Sequence, residues 1–254
     1  FTLVVIYILE QYPTLGMYQA VMAVITILLA VRIFFYQRIP ELEKVLPKKE
    51  TFRKSFLKVL AIPEYLPFCA YCFLLTLFTG ACPQIFNLIE KDVLDMSKVE
   101  IVFLGNLLVV GALAGFFLGG RMVDRFGTKY VFLCCHFGFS SILFLFLWRS
   151  FFPGEVRITI AILTILFGMV QAASSIAMTS ETLVLIPVEN KSLATGLWFT
   201  LYSGGTGLSG VLSGQALELG LLSDSWTWLG QHMSRYDGLL LFCVTMVLLM
   251  TVTL

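Results

Sequence analysis

The chain has 254 residues, of which 58% are hydrophobic and 13% charged, and its mean hydropathy is +0.90. A soluble domain of this length could not bury so much apolar surface, and a net charge of +1 leaves no basic excess for binding phosphate groups. The composition therefore excludes a soluble enzyme and a nucleic-acid binder and predicts an all-α integral membrane protein.

Windows free of charged side chains mark the expected membrane spans. A bilayer core of about 30 Å needs about 20 apolar helical residues, so we expect six full helices and two partial ones. The chain starts without Met in a short apolar stretch and stops inside another, which we interpret as a fragment of a longer protein. The windows cover residues 11–31, 65–89, 101–120, 130–148, 158–180, 192–217 and 238–254.

Basic residues concentrate on one side of these spans. The loop 32–58, the turn 121–129 and the loop 186–192 hold twelve Lys and Arg, whereas the loops on the other side hold five. By the positive-inside rule the first set is cytoplasmic. Aromatic residues at the outer ends of spans agree with this orientation; they are Trp148, Trp226, Trp228 and Tyr236.

The long basic loop carries a helical repeat of apolar residues, namely Phe52, Phe56, Leu57 and Leu60. This pattern is typical of a short helix on the anionic inner surface of a membrane. A solvated basic linker with incidental aromatic residues explains it equally well. In either case the loop is long enough to separate two halves of a protein.

A short charged turn follows the third full span. Gly120 permits a close helix approach or an unusual backbone angle, and Gly127 lets the chain reverse. Asp124 can accept hydrogen bonds from the N–H groups that begin the next helix, while Arg125 and Lys129 hold the turn at the inner surface. These residues predict a conformational latch, which pairs with a neighbouring helix end in one conformation and releases it in another.

The ten residues 120–129, Gly-Arg-Met-Val-Asp-Arg-Phe-Gly-Thr-Lys, resemble the cytoplasmic signature of the major facilitator superfamily. Thr128 replaces the first of the two basic residues that close the signature. The segment 186–191, followed by 194–197, resembles the link between the fourth and fifth helices of a half in that family. The resemblance implies a six-helix half of a repeat-built transporter.

The order of the spans places the chain in the C-terminal half of such a protein. Residues 1–36 would be the end of the N-terminal bundle, with the tail of helix five and helix six. Residues 37–60 would be the central cytoplasmic loop, and 61–254 the C-terminal six-helix bundle with a truncated last helix. The competing register puts the signature in the N-terminal half and leaves the span at 15–36 unexplained.

Polar side chains at membrane depth mark a predicted substrate pathway, since such groups face a cavity or the bundle interior. The span at 158–182 presents a polar face, and the resemblance implies that the corresponding helix lines the pathway. Hydrogen bonding between helices explains this face equally well. The candidates on it are Gln171, Ser174, Ser175, Met178 and Thr182, with weaker ones at Tyr71, Thr76, Thr79, Asn106, Trp198 and Tyr202.

Glycines at four-residue spacing predict close helix packing, because small residues let backbones approach in lipid. One stripe is Gly111, Gly115 and Gly119, and a second contains Gly210 and Gly214. The contact is either static or, as the resemblance implies, a sliding surface between halves.

Titratable residues inside the spans are few. Glu181 is a candidate for proton coupling, although a structural salt bridge explains it better, and we expect a core hydrogen bond for His136. Glu90 is interpreted as an ordinary boundary charge. The six cysteines fall in apolar spans and are interpreted as small buried hydrophobes, without the partners that a metal or nucleophilic site requires.

These observations predict secondary active transport of a small solute by alternating access, without enzymatic activity or a cofactor. The coupling ion would be H⁺ or Na⁺. The expected partners are the lipid bilayer, the solute and the missing N-terminal half of the same chain, in a plasma or bacterial inner membrane. The alternative is a seven-span receptor, because Asp124, Arg125 and Phe126 resemble the D-R-Y triplet of such receptors.

Overall fold

The structure is a computed structural model that describes residues 15–36, 51–149, 155–186, 191–228 and 230–252. The internal contacts divide the chain into two units, Phe1–Glu50 and Thr51–Leu254. The predicted loop at 187–190 and most of the predicted central loop lie outside the described residues.

In the first unit, one helix is described, α1 (Leu15–Tyr36). It covers most of the first expected span. Large apolar side chains along it, such as Met22 and Ile27, are exposed, which suits a helix whose surroundings are apolar.

The second unit is a helix bundle with a short hairpin. The hairpin strands β1 (Ser225–Trp228) and β2 (Gln231–Ser234) pair antiparallel, where we expected only a loop. The helices are α2 (Phe52–Leu60), α3 (Tyr65–Thr79), α4 (Cys82–Asp92), α5 (Lys98–Phe126), α6 (Thr128–Leu147), α7 (Val156–Leu185), α8 (Lys191–Glu218) and α9 (Arg235–Thr251).

Four stretches of the described chain are long and apolar enough to cross a membrane by length and composition. They are Tyr65–Asp92, which combines α3 and α4, and the helices α5, α6 and α7. The predicted all-α membrane fold is thereby confirmed. Helices also cover the two remaining expected windows of this unit, since α8 has 28 residues and α9 has 17.

The first span of the bundle is interrupted, whereas we expected one continuous helix over 65–89. Helix α3 ends before Gly80, and Pro83 lies in the first turn of α4. Proline lacks an N–H group, and its ring clashes with the carbonyl four residues earlier, so the helix breaks just before it. The backbone N–H of Ala81, left over at the break, donates to Ser209 Oγ of α8 at 2.9 Å.

Helices α5 and α7 are in backbone contact along the glycine stripe. Gly111 lies against the backbone of Ile165 and Gly115 against that of Met169. A Cβ atom built on Gly119 would lie 2.6 Å from Ala173 Cα, so only glycine fits there. Because the contacts advance in the same order on both helices, α5 and α7 run parallel.

The bundle has two ends, and the sites described below differ between them. The turn end is the segment 121–129 between α5 and α6, together with the helix ends on that side. The hairpin end is formed by β1, β2 and the helix ends around them. Short connections make successive spans alternate between the two ends.

Candidate functional site

A cavity of about 450 Å³ lies inside the bundle between α3, α6, α7 and α8. We call it the central cavity. Its lining includes neutral hydrogen-bonding groups and two aromatic rings, and none of the described residues that line it is charged. The lining residues are Leu75, Thr76, Thr79, Gly80, Phe139, Gln171, Ser174, Met178, Tyr202, Ser203, Thr206 and Gly207.

Six of the eleven candidate pathway residues meet in this cavity. They come from three helices that are far apart in the sequence, which the sequence alone could not bring together. They are Thr76 and Thr79 on α3, Gln171, Ser174 and Met178 on α7, and Tyr202 on α8.

Close contact between α3 and α8 shapes one wall of the cavity. Thr76 Oγ1 lies 3.1 Å from the carbonyl oxygen of Tyr202 and 3.0 Å from that of Cys72, so it can donate across the interface or within its own helix. Gly205 lies directly against α3, where a Cβ would be 2.5 Å from the Phe73 carbonyl oxygen. Tyr65 adds a hydrogen bond of 2.5 Å to the carbonyl of Ala194.

The other five candidates do not line this cavity, among them the buried Trp198. Asn106 donates to the carbonyl of Val102 on its own helix at 2.9 Å, and buried Thr182 donates to that of Met178 at 2.7 Å. Ser175 lies beside Tyr202 without lining the cavity. Tyr71 lines a different cavity.

That second cavity measures about 700 Å³ and opens near the turn end. Its lining includes Tyr71, Phe132, Lys129 and Glu181, so it combines apolar walls with charged groups. The hydroxyl of Thr128 donates a hydrogen bond to the carboxylate of Glu181. The salt bridge that we expected for Glu181 does not form among the described residues, because this hydroxyl takes the place of a cation.

A buried hydrogen bond joins α3 to α6 between the two cavities. His136 is fully buried, its Nδ1 lies 2.8 Å from the Phe132 carbonyl oxygen, and its Nε2 lies 3.1 Å from the hydroxyl of Tyr71. A carbonyl can only accept, so Nδ1 carries the proton and Nε2 accepts from Tyr71. The expected core hydrogen bond of His136 is confirmed.

The charged turn adopts a simpler geometry than we expected. Asp124 lies in the last turn of α5, is exposed, and does not cap α6, whose N-terminal position is Gly127 without a side-chain cap. Gly127 has φ 82°, so it does reverse the chain. Gly120 has open space around it and makes no close approach, because the close contact belongs to Gly119.

The acid and base side chains of the turn also lack ionic partners in this unit. Asp124, Arg125 and Lys129 are all exposed and form no salt bridge with the described residues. The guanidinium of Arg125 lies 5.3 Å from the ring of its neighbour Phe126.

The second predicted glycine stripe makes no close contact with the described helices. A Cβ atom on Gly210 or Gly214 would meet nothing within 4 Å, because this face of α8 is directed away from the other described helices. Gly205 on the same helix makes the close contact instead. The first stripe of Gly111, Gly115 and Gly119 does lie at a helix contact.

Sequence reasoning missed two groups of residues. Ser203 and Thr206 lie beside Tyr202 on the cavity wall, and their spacing of one and four residues from it was the available signal. At the hairpin end, Arg149 and Asp237 form a buried ion pair, and Glu90 is 1% exposed. The interpretation of Glu90 as an ordinary boundary charge is therefore wrong.

The known proteins to which this chain is similar are membrane transporters. The chain matches the family model described as Major Facilitator Superfamily in two alignments, over residues 6–210 and 68–254. It is 28% identical over 183 residues to a gallate transporter of Pseudomonas putida, an alignment that covers 65% of this chain. The aligned part is 39% of that protein, so the chain spans well under half of this relative.

Proposed function

The chain belongs to the Major Facilitator Superfamily, and from this premise we propose that it forms part of a secondary active transporter, which moves a small solute across the membrane by alternating access. The protein is a multi-pass integral membrane protein. The transported solute, its coupling to an ion and the alternation between two open sides are the parts that we propose.

The observation that carries the proposal is the central cavity. Polar side chains inside membrane helices are costly unless they find partners, yet α3, α7 and α8 direct hydroxyl and amide groups into one shared space. A cavity of about 450 Å³ with an apolar wall and a few convergent polar groups is typical of a small-molecule site. The buried hydroxyl oxygen of Ser174 has no hydrogen-bond partner among the described residues, which leaves an unsatisfied polar group beside the cavity.

The turn end supplies the conformational part of the mechanism. Asp124 and Arg125 are exposed and form no salt bridge in the described part of this unit. In the predicted orientation they lie at the cytoplasmic surface. We expect them to pair with helix ends of the other half when the cytoplasmic side is closed, and to release them when it opens.

The gallate transporter from Pseudomonas putida suggests the first solute to test. Gallate is a small aromatic acid with three hydroxyl groups. In the central cavity its hydroxyls could hydrogen-bond to Gln171 and Ser174, and its ring could contact Phe139. Its carboxylate would need a cation from the other half, because the described lining of the cavity contains none.

Uptake of radiolabelled gallate into proteoliposomes tests the proposal. The intact protein should accumulate solute under an inward proton or sodium gradient, and Gln171→Leu should slow the initial rate about tenfold, as expected for one lost hydrogen bond of about 1.4 kcal/mol. Gln215→Leu is the matched control, because Gln215 is exposed on α8 outside the cavity. Uptake equal to that of empty liposomes for gallate and a panel of small solutes, under both gradients, would overturn the proposal.

The seven-span receptor is not retained as a second candidate. The match to the transporter family covers most of the chain. In addition, α5 ends at Phe126 and Gly127 reverses the chain at once, so the helix does not continue beyond the Asp-Arg-Phe triplet.

A further inference from the structure

Glu90 is a carboxyl group buried at the hairpin end of the first bundle span. Only 1% of the residue is exposed, and its Oε2 atom has no hydrogen-bond partner among the described residues. It lies two residues before the end of α4. The last turn of a helix carries partial negative charge, which further disfavours an ionised carboxylate there.

The cations at this end are already engaged. Lys91 lies 3.9 Å from Asp92, Arg149 lies 2.6 Å from Asp237, Arg157 lies 2.9 Å from Glu100, and Arg235 lies 3.7 Å from Asp224. The remaining described cation on this side, Lys98, is exposed.

The other carboxylates at the hairpin end are in different situations. Asp92 also accepts a hydrogen bond of 2.6 Å from the hydroxyl of Tyr236, and Asp95, Glu155 and Glu218 are exposed. Of the described carboxylates on this side, Glu90 is therefore the one that is buried without a cation.

A chain of apolar rings leads from the helical turn before Glu90 to the central cavity. Phe86, one turn before Glu90 on α4, stacks on Phe146 with ring centroids 4.2 Å apart and meets the edge of Phe167 at 5.1 Å. Phe167 in turn contacts Phe139, which lines the cavity. Glu90 thus lies one helical turn beyond a cluster of four phenylalanines, and a buried carboxyl group without a cation favours its neutral form.

We propose that Glu90 is a proton-binding site of the transporter, occupied in the conformation described here and emptied when the helices around α4 move and admit water. This inference rests on the proposed transport function and names its coupling ion as H⁺. The step is the reversible loss of one proton from the carboxylic acid to water, which leaves a carboxylate. The break between α3 and α4 at Gly80 allows α4 to move without carrying all of α3 with it.

Infrared spectroscopy of the purified intact protein tests proton occupancy without any solute. We expect the carbonyl stretch of a protonated carboxylic acid at pH 7, and we expect Glu90→Gln to remove it. Glu155→Gln, a matched change at an exposed carboxylate of the same end, should leave the band in place. A band that is missing from the wild type at pH 7, or that persists in Glu90→Gln, would overturn the proposal.

A transport assay tests the coupling itself. With radiolabelled gallate as the probe, Glu90→Gln should lose accumulation driven by an inward proton gradient and should retain exchange of gallate at equal concentrations on both sides. Accumulation at the wild-type level in this variant would show that Glu90 is not the coupling site. If the wild type moves no gallate, the proposed gallate transport fails, while the infrared result still decides whether Glu90 holds a proton.

Discussion

The two ends of the bundle handle charge in opposite ways. At the hairpin end, Arg149 and Asp237 are 4% and 0% exposed and form a two-fold hydrogen-bonded ion pair of 2.6 and 3.2 Å. Asp237 also accepts from the backbone N–H and the hydroxyl of Ser234, both at 2.8 Å. At the turn end, Asp124 and Arg125 are exposed and form no salt bridge with the described residues.

This difference shows which end of the unit is held together by an ion pair between its own helices. A buried ion pair held by two hydrogen bonds fixes one arrangement of the helices that it joins, here the end of α6 and the start of α9. Exposed charges contribute little to holding helices in one arrangement, and they can exchange partners. We therefore assign a constant structural contact to α6 and α9 at the hairpin end, where α4 takes no part in the ion pair, and a changing contact to the turn end.

The largest effect on stability is expected from breaking the buried ion pair of Arg149 and Asp237. Asp237→Asn leaves the guanidinium of Arg149 buried without a counter-ion, so we expect a loss of about 3–5 kcal/mol in unfolding free energy. Denaturant unfolding of the purified protein in detergent measures it. The double variant Arg149→Met with Asp237→Leu should recover much of the loss, because no unpaired charge remains. A loss below about 1 kcal/mol for Asp237→Asn would remove the distinction between the two ends.

A smaller effect is expected where the turn end is held by backbone packing. Gly119→Ala should cost about 1–3 kcal/mol, because the added methyl group would overlap Ala173 and force α5 away from α7. Gly120→Ala is the matched control at the next position, where a Cβ meets open space. Equal stabilities of the two variants in the same unfolding assay would contradict the close contact.

The hydroxyl of Thr128 offers a finer test of the turn end. Thr128→Val keeps the shape of the side chain and removes its hydrogen bond to Glu181, so we expect a loss of about 1 kcal/mol. Thr200→Val is the comparison, since that exposed hydroxyl bonds only to its own helix, at the Gly196 carbonyl. A stability of Thr128→Val above that of Thr200→Val would show that the bond to Glu181 does not hold α6 on α7.

The smallest effect on stability is expected at Asp124, where the effect on transport is large. Asp124→Asn should unfold like the wild type, because this carboxylate has no salt bridge in the described unit. It should nevertheless slow uptake several-fold, because the variant loses the charge that we propose to pair with the other half. Asp95→Asn, at an exposed carboxylate of the hairpin end, should change neither property. Normal uptake by Asp124→Asn would exclude the conformational latch.

Sequence patterns predicted the helices well because lipid leaves the backbone few alternatives. They also identified six cavity residues, since polar side chains are rare in apolar windows. They could not show that Asn106 and Thr182 lie outside the cavity. A polar side chain can donate its hydrogen bond to a carbonyl of its own helix, and the sequence pattern is then the same as for a residue that lines a cavity.

The pairing of charges was beyond sequence reasoning for a different reason. Arg149 and Asp237 are 88 residues apart, and each follows or begins a span where boundary charges are ordinary. Glu90 looked equally ordinary. Only the packing of α4 among its neighbours separates a buried carboxyl group from an exposed one.

The most direct test of alternating access is the reactivity of a cysteine placed in the central cavity. Gln171→Cys should react with a membrane-impermeant thiol reagent from one face of the membrane in one state and from the other face when the solute gradient is reversed. The wild type, whose cysteines are buried except for Cys134, gives the background. Reaction from a single face whatever the gradient, or no reaction from either, would contradict a cavity that opens to both sides.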